Sequence, residues 1–210
     1  MQDLIICGIG CHALEMAEIV ERINRVTATW NLLGFFSEKN AYEKHQGLIL
    51  NGYPVLGTIE SLEKFPNAAL APGYGFKDAF PMERAATIID PTTFVSRSAK
   101  IGKACVIYPS CYIGYNAVLG NRIFSLSGSV INHDDVLGDD VCLCSNVTLA
   151  GNLHVEAGVY MGQASTVRQH LRIGKDSFIG MGAVVVSDVP PNVVMVGNPA
   201  RKLKDRFAPK

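Results

Sequence analysis

Every sixth residue from Val95 to Val185 is aliphatic or methionine, with Ser125 the one exception, and nothing is inserted or lost along the way. The next residue is glycine at positions 102, 114, 120, 138, 162, 174 and 180. Two residues before the aliphatic one the side chain is often small, as at Thr93, Ala99, Cys105, Cys111, Ala117, Ser129, Ser165, Ser177 and Ala183. A fixed short period held over so long a stretch marks a repeat architecture. The arrangement it predicts is a prism: three flat faces per coil, six residues to a face, with one aliphatic side chain per face stacked along the axis. Each coil buries its apolar side against its neighbours and pairs its backbone with them. Glycine is expected at the corners for its conformational freedom. An antiparallel sandwich would alternate with period two and have irregular turns, so the six-residue period argues against it. Asp90-Pro91 reads as the start of the coils.

The chain before the repeat follows another rule. Leu4-Ile5-Ile6-Cys7 is a short apolar strand ending at Gly8-Ile9-Gly10-Cys11-His12, and Ala13 to Ile23 then shows helical periodicity through Leu14, Ala17, Ile19, Val20 and Ile23. Strand, glycine turn and helix open a nucleotide-binding βαβ unit, in which glycines admit a phosphate to the backbone and the helix start supplies N–H groups. A second strand is expected near Trp30 to Phe36, running into Ser37-Glu38. Asn51 to Gly57 reads as a turn and edge segment, Ser61 to Phe65 as a short helix with Ser61 as N-cap, and Ala68 to Ala71 as a buried strand leading to Pro72-Gly73-Tyr74-Gly75. The block to about residue 80 is therefore expected to be a small α/β domain of about four parallel strands. The expected division is 1–82 and 83–210. Beyond Val185 the period breaks at Asp188-Val189-Pro190-Pro191, Val193 to Val196 is extended, and Gly197 to Leu203 forms a polar cap over the open end.

Lysine plus arginine balance aspartate plus glutamate at 19 each, so no nucleic-acid or anionic-membrane partner is indicated. No apolar run approaches the length of a membrane span. The first residues, Met1-Gln2-Asp3, lack the basic start of a signal peptide. The six cysteines at 7, 11, 105, 111, 142 and 144 form no CxxC pair and are read as reduced, as in a cytoplasmic protein.

Two features narrow the family: a small Rossmann-like domain placed before the prism, and Val130-Ile131-Asn132-His133-Asp134. Together they resemble the bacterial hexapeptide-repeat sugar acetyltransferases, both those that N-acetylate nucleotide-linked 4-amino sugars and the related sialic acid O-acetyltransferases. The segment Gly-Ala-Val-Val-Val through Val-Gly-Asn-Pro-Ala-Arg near the C-terminus is shared more widely among hexapeptide transferases. The resemblance implies a left-handed parallel β-helix, acetyl-CoA as co-substrate, no metal, a homotrimer with active sites between subunits, and a role in surface glycan biosynthesis.

Carried over residue by residue, the resemblance makes His133 the general base, which takes the proton of the acceptor amine. Asp134 becomes its acidic partner. Neighbours on a strand face opposite ways, so that pairing requires a corner conformation. Gly151, eighteen residues after His133, is one whole coil away and should lie beside it; the resemblance gives its N–H to the thioester oxygen. Gln163 and Met181 are implied as acetyl-CoA contacts, and Gly8, Gly10, His12, Ser37, Glu38 and Gly73 as contacts of the nucleotide-sugar.

The sequence departs from the family pattern at three places. Cys142 stands where some relatives have a second histidine, Ser125-Leu126-Ser127 replaces an apolar-Asn-Thr segment, and Cys11 replaces a glycine. These leave the sugar and the role of Cys142 open. Readings from other classes are a zinc hydratase, for which His133, His154 and His170 would have to converge as ligands, and an inactive scaffold subunit.

Overall fold

The computed structural model describes residues 1–76, 79 and 81–207. The expected end of the first block near residue 80 falls beside positions outside that set. The chain divides into two compact units, residues 1–91 with 103–106 and residues 92–102 with 107–210.

In the first unit, β1 (Gln2–Cys7) is followed by α1 (Cys11–Val26), which buries Ala13, Met16, Ala17, Ile19 and Val20. These positions recur at helical spacing, so one stripe of α1 is apolar and the rest is wet. The remaining strands are β2 (Trp30–Phe36), β3 (Ile49–Leu50), β4 (Tyr53–Gly57) and β5 (Ala69–Pro72). The sheet order is β3-β4-β2-β1-β5. β1, β2, β4 and β5 run parallel, and β3 pairs antiparallel with β4. Leu4, Ile5, Ile6, Phe35, Phe36 and Leu70 are fully buried. The unbroken apolar runs of β1 and β5 are what a strand covered on both faces requires. The helix expected at Ser61 is a 3₁₀ segment, Ile59–Lys64, and the residue before it is Thr58. Asp90 is fully buried and accepts from Arg22 through Nε at 2.6 Å and a terminal nitrogen at 3.2 Å, so the carboxylate is not left unpaired.

From Ile88 onward the chain is a parallel β-solenoid. One sheet stacks Phe94–Val95, Tyr112–Ile113, Val130–Ile131, Thr148–Leu149, Thr166–Val167 and Val184–Val185. The next stacks Lys100–Ile101, Val118–Leu119, Val136–Leu137, His154–Val155 and Arg172–Ile173. The third runs from Ile88–Ile89 through Val106–Ile107, Phe124–Ser125, Cys142–Leu143, Tyr160–Met161, Phe178–Ile179 and Val193–Val196 to Arg201–Asp205. Its last strand turns back antiparallel to Val193–Val196 and ends the stack. Strand partners are eighteen residues apart, as in Ile113↔Ile131 and Leu149↔Val167. Ile113, Ile131, Leu143, Leu149, Val155, Met161, Val167, Ile173, Ile179 and Val185 have no exposed surface. Ser125 lies in the same file, fully buried, with Cys111 Sγ 3.7 Å from its hydroxyl.

Two expectations need correction. The solenoid strands begin at Ile88–Ile89, ahead of Asp90-Pro91. The repeat glycines also serve a different purpose from the one expected. The residue forced into left-handed backbone lies three places after the core aliphatic. Asn116, Asp134, Asn146 and Asn152 have φ of 55°, 59°, 60° and 53°, and Gly128, Gly158 and Gly182 occupy the same slot. The glycines next to the aliphatic residue instead allow coils to approach. A Cβ at Gly114 would stand 2.8 Å from the backbone N of His133, and one at Gly162 would stand 2.6 Å from that of Met181. No real side chain tolerates such contacts, so these coils close only on glycine.

Candidate active site

The Asn132–Asp135 corner carries a connected set of polar side chains. Asp134 takes the left-handed conformation, and its N–H donates to Tyr115 O at 2.8 Å. That twist brings its carboxylate round to the side of the preceding residue. Asp134 Oδ2 lies 3.0 Å from His133 Nδ1, and Oδ1 accepts from Asn116 Nδ2 at 3.2 Å. The bond with His133, reinforced by the one from Asn116, holds the Asp134 carboxyl below the usual carboxylate range. With Nδ1–H donating to the carboxylate, Nε2 carries the ring's lone pair.

Gly151 sits one coil on. Its φ is 101°, and a Cβ there would lie 3.1 Å from His133 Nε2 and 3.2 Å from His133 O. The two coils are tied at this point: Asn152 N donates to His133 O at 3.0 Å, and Asn132 Nδ2 donates to Leu149 O at 2.8 Å. A further tie comes from Asp135, whose side chain has no exposed surface. Its carboxylate accepts from Asn132 N at 2.8 Å and Leu153 N at 2.9 Å. Burial pushes the Asp135 carboxyl up to about 6 against the opposing pull of these bonds. His133 itself is more than half exposed, so its ring is accessible from outside.

The structure brings His133, Asp134 and Gly151 together. It puts Gln163 and Met181 on the neighbouring corner, stacked on each other through Gly182 N and Gln163 O at 2.8 Å. The sheet containing Thr148–Leu149 and Thr166–Val167 lies between the two corners. Met181 is largely exposed. Cys142 is on the third sheet, half a coil from His133, and is buried. Among the described residues no group of three histidine, cysteine or acidic side chains is placed to hold a metal, and the cysteines form no disulfide.

In the first unit the residues singled out gather at the carboxyl ends of β2, β1 and β5. Gly8 N donates to Phe36 O at 2.8 Å, and Gly73 N donates to Cys7 O at 2.7 Å. A Cβ on Gly8 would stand 3.9 Å from the Gly73 Cα, so the two turns lie side by side. Gly10 precedes α1, and His12 in its first turn bonds Glu15 at 3.1 Å and meets the Tyr74 ring edge-on. Ser37 is buried, and its hydroxyl lies 3.1 Å from His45 Nδ1. Glu38 is half-buried and stands just before the 3₁₀ segment Lys39–Ala41. Four residues of these sites escaped the sequence reading: Asp135, Asn116, His45 and Tyr74. For Asp135 a signal existed, an acid in the slot two before Leu137 where the repeat elsewhere has small or aliphatic residues.

No family model matches the chain. The UDP-N-acetylglucosamine O-acyltransferase of Pseudomonas paraeruginosa is 38% identical over 89 residues, 42% of this chain and 34% of that protein. The chain thus spans about a third of the curated relatives it matches. The solved acetyltransferase domain of PglB from Neisseria gonorrhoeae superposes with a TM-score of 0.82 at 25% identity, covering 97% of this chain and all of the other. The fold is that of the hexapeptide-repeat acyltransferases. GDP-perosamine N-acetyltransferase from Caulobacter crescentus, solved with CoA and GDP-perosamine, superposes with a TM-score of 0.84 at 22% identity over 98% of both chains. Among the described residues no helix is long and apolar enough to cross a membrane.

Proposed function

We propose that this chain is an acetyl-CoA-dependent N-acetyltransferase acting on the amino group of a nucleotide-linked amino sugar, of the 4-amino-4,6-dideoxy type, in surface glycan synthesis. The single observation that carries the reading is the His133 ring, held by Asp134 on one nitrogen and facing Gly151 with the other. The neutral acceptor amine attacks the thioester carbonyl. The C–N bond forms while His133 Nε2 takes the amine proton. The Gly151 N–H meets the oxyanion, and Asp134 stabilises the imidazolium. Collapse breaks the C–S bond, and the leaving thiolate of CoA takes the proton from His133. No acyl-enzyme is formed. A base so placed contributes about 10²–10⁴ in rate.

In this reading residues 83–210 form a left-handed β-helix transferase domain, with Gln163 and Met181 as acetyl-CoA contacts. Residues 1–82 form a Rossmann-like domain that binds the nucleotide-sugar through Gly8, Gly10, His12, Ser37, Glu38 and Gly73. Glycine turns at the carboxyl ends of parallel strands are where such sheets take phosphates. The neighbour solved with CoA and GDP-perosamine supports the same pair of ligands. The protein would act in the cytoplasm as a homotrimer. Transfer to a sugar hydroxyl is the second reading, favoured by the O-acyltransferases among the curated relatives. Thiol release from acetyl-CoA against UDP-, GDP- and TDP-linked 4-amino sugars and their 4-hydroxy counterparts tests both. Turnover confined to the hydroxyl series rejects the amine reading, and no turnover rejects both.

A further inference from the structure

The corner that carries His133 continues in both directions. Stepping eighteen residues at a time, it reads Arg97, Tyr115, His133, Gly151. Gly151 faces the acetyl donor in the proposed function, so the acceptor is left the other side, toward Tyr115 and Arg97. A cavity of about 380 Å³ opens there, lined by Phe94, Val95, Ser96, Arg97, Ser98 and Tyr115. Both rings are exposed, Phe94 by 54% and Tyr115 by 62%. Arg97 is exposed and makes no ion pair among the described residues.

The cavity is wired to the base. Ser96 and Ser98 hydroxyls are 3.1 Å apart, and Ser98 Oγ accepts from Asn116 N at 2.9 Å. Asn116 Nδ2 then donates to Asp134 Oδ1, whose other oxygen holds His133. Stacked strands are roughly 4.8 Å apart, so Arg97 is rooted about 10 Å from His133. That is within reach of a guanidinium meeting the anomeric phosphate of a pyranose whose amine lies at His133. Apolar walls with one well-placed charge are the usual make-up of a small-ligand site. A guanidinium suits a phosphate better than an ammonium does, through its paired donors.

We propose that this cavity is the acceptor-sugar subsite, in which the Tyr115 ring faces the sugar and Arg97 binds the phosphate attached to it. The inference rests on the proposed function for the identity of the sugar, while the anion contact can be measured without turnover. Calorimetry with the UDP-, GDP- and TDP-linked 4-amino sugars, in the absence of acetyl-CoA, compares wild type, Arg97→Ala and Arg97→Lys with the methyl glycoside of the same sugar as the phosphate-free probe. Arg97→Ala should weaken the nucleotide-sugar at least tenfold, with partial recovery in Arg97→Lys. The preference for the nucleotide-linked form over the methyl glycoside should fall by the same factor. Affinity within twofold of wild type overturns the inference, as does an equal loss for the methyl glycoside or no binding to wild type. If that contrast holds but no acetyl is transferred, the subsite stands and the acetyltransferase reading falls.

Discussion

The Gly151 Cα faces the unbonded edge of the His133 ring, so that a methyl group there would lie 3.1 Å from Nε2. Substitution by alanine would both strain the backbone, at φ 101°, and push the imidazole from its place. The strain costs about 1–3 kcal/mol. Gly151→Ala should lower the unfolding temperature modestly and reduce kcat at least tenfold. An unchanged kcat in a folded variant would remove Gly151 from the transfer step.

His133→Ala should reduce kcat by about 10²–10⁴. Stability should change by no more than about 0.5 kcal/mol, because the side chain is more than half exposed. Steady-state kinetics beside thermal unfolding separates the two effects. Retained turnover would require another base.

Asp134 is held as a carboxylate by its bonds to His133 and Asn116. Asp134→Asn removes the counter-charge of the imidazolium. kcat should fall, though by less than in His133→Ala, with KM for acetyl-CoA unchanged. A kcat equal to that of wild type would show that the pair is not coupled in the reaction.

Asp135 binds a proton more readily folded than unfolded, since burial raises it from 3.8 to about 6. Its contribution to stability is therefore fully present below about pH 3.8 and lost as pH rises through about 6. Asp135→Asn carries no such titration. The unfolding-temperature difference between wild type and Asp135→Asn should favour wild type most near pH 4, shrink up to about pH 6 and stay flat above pH 7. A difference constant with pH would contradict the buried carboxyl.

His12→Ala tests the first unit. The side chain lies at the start of α1 beside Tyr74, next to the Gly8 and Gly73 turns. KM for the nucleotide-sugar should rise several-fold, and KM for acetyl-CoA should stay as it was. Equal changes in both would argue against a nucleotide role for that edge.

Much of this could be read from spacing alone. The six-residue period identified the core file, and eighteen residues between His133 and Gly151 placed them in contact. The requirement that adjacent His133 and Asp134 share a side forced the corner conformation found at Asp134. The same arithmetic puts Gln163 and Met181 on another corner, since thirty is not a multiple of eighteen. Stepping back six from Val95 lands on Ile89, which is the earlier start of the coils. What spacing cannot show is burial and long-range pairing. Asp135 looks like any acid until the coil at Leu153 closes over it, and Ser37 meets His45 only because a short helix folds back. The repeat glycines looked like turn formers because their clash with the next coil appears only in three dimensions.

The left-handed residue recurs at one fixed slot of each face, from Ala104 to Gly182, without a skipped beat. Such a rod has a reading frame. Deleting one residue between Tyr115 and His133 would swing every earlier side chain off the corner, so that Arg97 and Tyr115 would look out on a different wall. Excising a whole coil would leave the wall intact and only shorten the distance along it. Length variation in such chains is thus expected to come in steps of eighteen, and a shorter step is expected to sever the acceptor side from the base.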